Sequence, residues 1–377
     1  MRGGVSSRIL AGAAAALALG AAPPALAFGP QATITDSGTG NRATIDQSAP
    51  NFVGPSATAR TAATINQGFS TTIRNTATIT QSGPRRLTAG ITQRGTDNIA
   101  GIEQVGQTGT QPLNNRPSAS INQSSNSNAR NNASIFQVAS GTTASASVSQ
   151  MSSQDAQAVV RQGARITVEG ANVTVNQNGG SFNLAFVEQD GRGVNTSVVQ
   201  SGSRNITNVD QQSPTGVATA INTQTIISQN GTDNIAGVTQ LGANATVNVN
   251  QTGTSHTATV DQENPGGDQV VANITQTGTT QTATVTQSAE GAEATVTQSV
   301  RDNTATVEQT AADTTATVTQ SGTAGSTATV EQSVALAQAS VTQSGAGGHQ
   351  ASITQSANPA TASISQTGSG GNSTIVQ

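Results

Sequence analysis

Apolar and polar residues alternate along this chain in short runs that repeat. A unit of the form Ala-(Thr/Ser)-(Val/Ile)-x-Gln closes at Gln276, Gln287, Gln298, Gln309, Gln320, Gln332, Gln343, Gln355, Gln366 and Gln377, in steps of 11 or 12 residues. It continues upstream through Gln262, Gln251, Gln240, Gln229, Gln211, Gln200, Gln189 and further copies as far as Gln47. Eleven residues before Gln47, the degenerate copy Ala32-Thr33-Ile34-Thr35-Asp36 closes on Asp36. Roughly 28 copies result, an array architecture rather than a sequence of unlike domains.

A two-residue period predicts strands, because successive side chains then point to opposite faces. Ala305, Val307 and Gln309 share one face, and Thr304, Thr306 and Glu308 share the other. The copies show which face is inside. The slot of Ile45, Ile79, Val187, Val260 and Val341 is always branched and aliphatic, whereas the next slot varies among Thr92, Glu103, Asn122, Arg161, Asp210 and Ser365. Constraint to one chemistry marks the interior. A right-handed coiled coil also has an 11-residue period, but β-branched residues broken by Gly, Asn and Pro favour strands and turns.

An interior of Ala, Val or Ile and Gln has to satisfy the glutamine amides, since a buried unpaired amide costs ~1–3 kcal/mol. Identical Gln residues stacked at the ~4.8 Å strand spacing can bond to one another. The expected fold is therefore all-β, a β-solenoid of about fourteen two-strand coils with two facing parallel sheets and Gln/Asn ladders inside, on the order of 65–70 Å long. Alternate copies should stack. Gln276, Gln298, Gln320, Gln343 and Gln366 then form one column, and Gln287, Gln309, Gln332, Gln355 and Gln377 the other. A three-sided coil is the alternative geometry. Longer gaps, Gln47 to Gln67, Gln104 to Gln123 and Gln211 to Gln229, hold Pro50, Pro55, Pro112, Pro117 and Pro214 and are expected to be loop insertions.

Some copies extend the unit to Gln93-x-Gly95-x-x-Asn98-x-Ala100-x-x-x-Gln104, and the string returns at Gln229-x-Gly231-x-x-Asn234-x-Ala236-x-x-x-Gln240. Gln298, Asn303, Ala305 and Gln309 keep most of it. This resembles the curlin repeat of bacterial curli fibre subunits, and the resemblance covers nearly all of residues 28–377. It implies turn positions at Asn98, Asn234 and Asn303, an extracellular amyloid fibre of the biofilm matrix, and partnership with a curli-type nucleator and an outer-membrane export channel. The chain departs from the family in its larger number of repeats, its lack of Tyr and the Ala144, Ala156 and Ala292 that stand in the Asn slot. Major subunit, nucleator and specialised relative are all compatible with it.

Composition adds a destination and removes some chemistry. Arg2 and Arg8, the apolar run Ile9 to Ala22 and Ala25-Leu26-Ala27 have the order of a secretory signal peptide over residues 1–27, with cleavage expected after Ala27. With no Cys, 9% charged residues and a net charge of -4, neither disulfides nor a nucleic-acid partner is expected. His256 and His349 stand six residues before Gln262 and Gln355, in the Asn slot, and are expected to be polar turn residues rather than metal ligands or acid–base groups. Glu308 and Glu331, one coil apart, are expected to be a solvated pair, and Gly266-Gly267-Asp268 is too isolated to mark a calcium site. No enzyme, cofactor or small-molecule substrate is indicated. The rival to a fibre is an ice-binding or surface-adhesive monomeric solenoid with outward Thr ranks such as Thr315-Ala316-Thr317-Val318-Thr319. Glu308, Glu331, Ser340, Ser363, Asn122 and Arg161 interrupt those ranks and argue against it.

Overall fold

The computed structural model describes residues 31–377 apart from 38–39, 49–60, 69–73, 84–86, 107–116, 125–129, 140–143, 164–169, 213–221, 265–268, 324 and 358. The expected signal segment, most of the proline-bearing insertions and Gly266-Gly267-Asp268 lie outside the described residues. Among the described residues, twenty-eight strands run from Gln31–Ser37 to Asn372–Val376. The first, third and all further odd strands make one 14-stranded parallel sheet, and the even strands make a second of equal size. These are called the first and second sheets below. Two strands per coil is the expected solenoid, and the three-sided form is excluded.

Register follows the repeat without slippage. Gln298 lies beside Gln320 and Val296 beside Val318 in the first sheet, while Gln309 lies beside Gln332 and Val307 beside Val330 in the second. Shifting one strand by a residue would turn its Ala, Val and Gln outward and its Thr inward, so burial itself holds the register. Ala305, Val307 and Gln309 are fully buried, and their neighbours Thr304, Thr306 and Glu308 face solvent. One continuous apolar core of alternating Ala and Val or Ile runs between the sheets from Ile45 to Ile364.

Turns from a first-sheet strand to the following second-sheet strand are held by a glycine column. Gly202, Gly231, Gly253 and Gly278 all have positive φ, and a Cβ on Gly253 would stand 2.0 Å from the Gly278 carbonyl oxygen. At these four positions a side chain would be both strained and blocked. Two residues later a second positive-φ position is filled by Arg204, Asp233, Ser255, Thr280 and Asp302. Val300 occupies the glycine slot of its own coil at φ +82°, a costly place for a β-branched residue. The insertions noted from sequence all join a second-sheet strand to the first-sheet strand after it.

Candidate functional site

The repeated glutamines form two buried columns. Gln276 donates to Gln298 at 2.9 Å, Gln298 to Gln320 at 2.8 Å, Gln320 to Gln343 at 2.9 Å and Gln343 to Gln366 at 2.9 Å. On the other sheet Gln287 donates to Gln309 at 2.8 Å, Gln309 to Gln332 at 3.0 Å, Gln332 to Gln355 at 3.0 Å and Gln355 to Gln377 at 3.1 Å. Each amide nitrogen has a second proton, and it crosses the core. Gln298 Nε2 reaches the main-chain oxygen of Thr282 at 2.9 Å, and Gln309 Nε2 reaches that of Glu293 at 3.0 Å, each on the opposite sheet. One side chain therefore ties coil to coil and sheet to sheet. Glutamine has the reach and the paired donors to make both bonds.

Three threonines in the Ala slot join this network, and sequence reasoning missed them. Thr196 is buried, receives a bond from Gln189 Nε2 at 2.8 Å and donates to Gln211 Oε1 at 2.5 Å. Thr207 donates to Gln229 at 2.8 Å, and Thr225 to Gln240 at 2.7 Å. Each hydroxyl reaches across the core and links two successive glutamines of the facing column. The signal was present as Thr where other copies have Ala, but a Thr in a strand normally reads as an outward residue. At the N-terminal end, Asp36 lies beside Gln67, and the buried Gln67 Oε1 has no hydrogen-bond donor. A carboxylate in place of an amide breaks the ladder because it has no N–H to give.

The Asn slot forms a second column at the turns. Asn98, Asn234 and Asn303 are fully buried rather than held in solvent. Asn303 Nδ2 closes its own turn on the Ser299 carbonyl at 2.8 Å, and its Oδ1 accepts the Ser326 N–H of the next coil at 3.1 Å. Asn98 Nδ2 closes on Arg94 at 2.9 Å, and its N–H donates to Asn75 Oδ1 at 2.9 Å. Asn234 receives the His256 N–H at 3.1 Å. Both histidines are inside this column. His256 Nε2 lies 3.1 Å from the Thr252 carbonyl and His349 Nε2 lies 3.0 Å from that of Ser344, contacts in which a protonated Nε2 donates. Burial pushes His256 below the ordinary imidazole range, against opposing bonds to the Thr252 and Gly278 carbonyls. Ala156 fills the same buried slot without polar side-chain atoms, whereas Ala144 and Ala292 precede first-sheet strands and are buried at the other edge of the coil.

The outward faces differ. In the first sheet the three outward columns hold Ser, Thr and Asn almost throughout, as in Thr295, Thr317, Ser340 and Ser363, and Glu293 is their only ionisable residue among the described residues. In the second sheet the column before the glutamines carries Asp46, Glu103, Arg161, Glu188, Asp210, Asp261, Glu308 and Glu331. Glu308 and Glu331 lie directly side by side, both exposed. The Arg161 guanidinium lies 5.5 Å from the Phe186 ring beside a shallow depression over Gly101. The residues expected to interrupt the Thr ranks are thus divided. Glu308, Glu331 and Arg161 belong to the second sheet, and Asn122, Ser340 and Ser363 to the first.

Among the described residues no three His, Cys, Asp or Glu side chains gather as a metal site. The fold and its ladders define the chain as a repeat β-solenoid. No protein-family model matches it, and no curated protein matches it either.

Proposed function

We propose that this protein is a secreted, non-enzymatic structural protein that assembles end to end into extracellular curli-like amyloid fibres of a biofilm matrix, where it serves adhesion. The observation that carries this reading is the uniform coil-to-coil contact. The same in-register bonds join every coil to the next, and among the described residues the outermost strand of each sheet has a neighbour on one side only. A contact that repeats by translation does not close on itself, so a coil of a second chain can be added by the same bonds. The curlin-like Gln-Gly-Asn-Ala-Gln spacing supports the same assembly and brings with it the expected nucleator and export channel.

The test is elongation of preformed seeds watched at single fibres. Gln350 N–H bonds forward to the Gly371 carbonyl, so by alternation the N–H groups of Thr374 and Val376 point off the end of the second sheet. Thr374→Pro with Val376→Pro removes those donors and should stop or slow growth at one fibre end. Unchanged growth at both ends, or a wild-type chain that stays monomeric for days at micromolar concentration, counts against the fibre. The second reading, a monomeric ice-binding or surface-adhesive rod, draws support from the nearly charge-free first sheet. An ice-growth assay on the same monomer separates the two.

A further inference from the structure

We propose that the outward face of the first sheet is the surface on which two copies of this protein pair laterally, rod against rod. The first support is charge. Among the described residues, mating two first-sheet faces buries no ionisable group except Glu293, apart from Arg94 and Arg301 at strand ends, whereas mating two second-sheet faces would bring columns such as Glu308 and Glu331 together. Unpaired buried carboxylates oppose association.

The second support is that several polar groups on this face already bond along their own columns, although Asn176 Oδ1 has no donor. Asn248 Nδ2 donates to Asn273 Oδ1 at 2.8 Å, Asn172 Nδ2 to Asn195 Oδ1 at 2.9 Å, and Ser120 Oγ to Ser147 Oγ at 3.2 Å. Covering such a face does not leave those amides unsatisfied, the condition under which polar ladders form dry zippers. A third support is extent. Fourteen strands at ~4.8 Å, with about six residues of ~3.3 Å exposed on each, present about 1,300 Å². A stable interface needs about 800 Å² per partner. Near the middle of the face Ile226 is 40% exposed, with Val199 on the neighbouring strand, a central apolar anchor of the kind that dominates association.

The chain has no cysteine, so one introduced thiol reports one position. Ser197 lies on the seventh of the fourteen strands of the first sheet, and Asn208 on the seventh of the second. A central position meets its own copy whether the rods pair parallel or antiparallel. Full-length protein with Ser197→Cys should be cross-linked to dimers by a short bis-maleimide, and Asn208→Cys should not. In parallel, Thr174→Glu with Thr317→Glu on the first face should halve the mass per unit length of the fibres. Thr259→Glu with Thr329→Glu on the second should leave it unchanged. If the rods do not lengthen at all, sedimentation reads the same contrast as dimer against monomer. Failure of end-to-end growth is thereby distinguished from failure of face pairing. Wild-type rods of single mass per length, a cross-link at Asn208→Cys alone, or a monomer that shapes ice through the first face would each overturn the proposal.

Discussion

The two broad faces of the rod come from one repeat, yet only one of them carries a column of carboxylates. Both sheets use Ala, Val or Ile and Gln inside, and both place Thr or Ser outside. They differ at the free position before each glutamine, which is Ser, Thr, Asn or Val in the first sheet and often acidic in the second. Charges that look scattered along the chain become one stripe because alternate copies stack. A repeat whose interior is fixed can therefore present two unlike surfaces, and the alternation of copies decides which residue goes to which.

The contrast between a constrained inside and a free outside is tested most severely at the glutamine columns. Gln298→Glu with Gln320→Glu places two adjacent carboxylates in a core where both side chains are fully buried. Such uncompensated burial costs about 3–5 kcal/mol, and denaturant unfolding should show it. Thr297→Ser with Thr319→Ser, on the outward face of the same strands, should be nearly silent. Equal effects at both pairs would break the inside-outside assignment.

A smaller effect is expected at the turn column. Gly253→Ala adds a Cβ at φ +128° against the Gly278 carbonyl oxygen and should destabilise by about 2–3 kcal/mol. Val300→Gly relieves the +82° strain in the same slot and should stabilise by about 0.5–1 kcal/mol. Thermal melting of the two variants should move in opposite directions. Movement in the same direction would show that the slot does not act as one column.

The imidazole of His256 makes stability depend on pH. Its folded-state value lies below its ordinary 6.5 because burial disfavours the cation. The stability of the neutral form is therefore complete above about 6.5 and is lost as pH falls through the lowered folded value. His256→Asn restores the residue of the neighbouring coil, Asn234, and should narrow the stability difference between pH 7 and pH 5. An unchanged difference would move the pH response elsewhere.

The smallest effect belongs to the acidic stripe. Replacing Glu308 by Gln removes a like-charge neighbour of Glu331 and should stabilise by about 0.2–0.5 kcal/mol at low salt. Added salt should erase the gain. A gain that persists in high salt would show that repulsion across the second face is not its source.

Much of this protein follows from the order of its residues. The repeated Ala, Val or Ile and Gln slots select strands, the buried face and the register, because a period of two admits only one arrangement in which those side chains share a core. Step length and the stacking demand of the amides lead on to a two-sheet solenoid. What the sequence leaves open depends on distances between residues far apart along it. The second proton of glutamines such as Gln298 finds a carbonyl on the facing sheet, Thr196, Thr207 and Thr225 turn inward to link successive glutamines of the facing column, and His256 enters the Asn ladder as a buried neutral ring. Only the stacked coils, with two facing sheets close enough for a side chain to span, set those contacts and sort the charges onto one face.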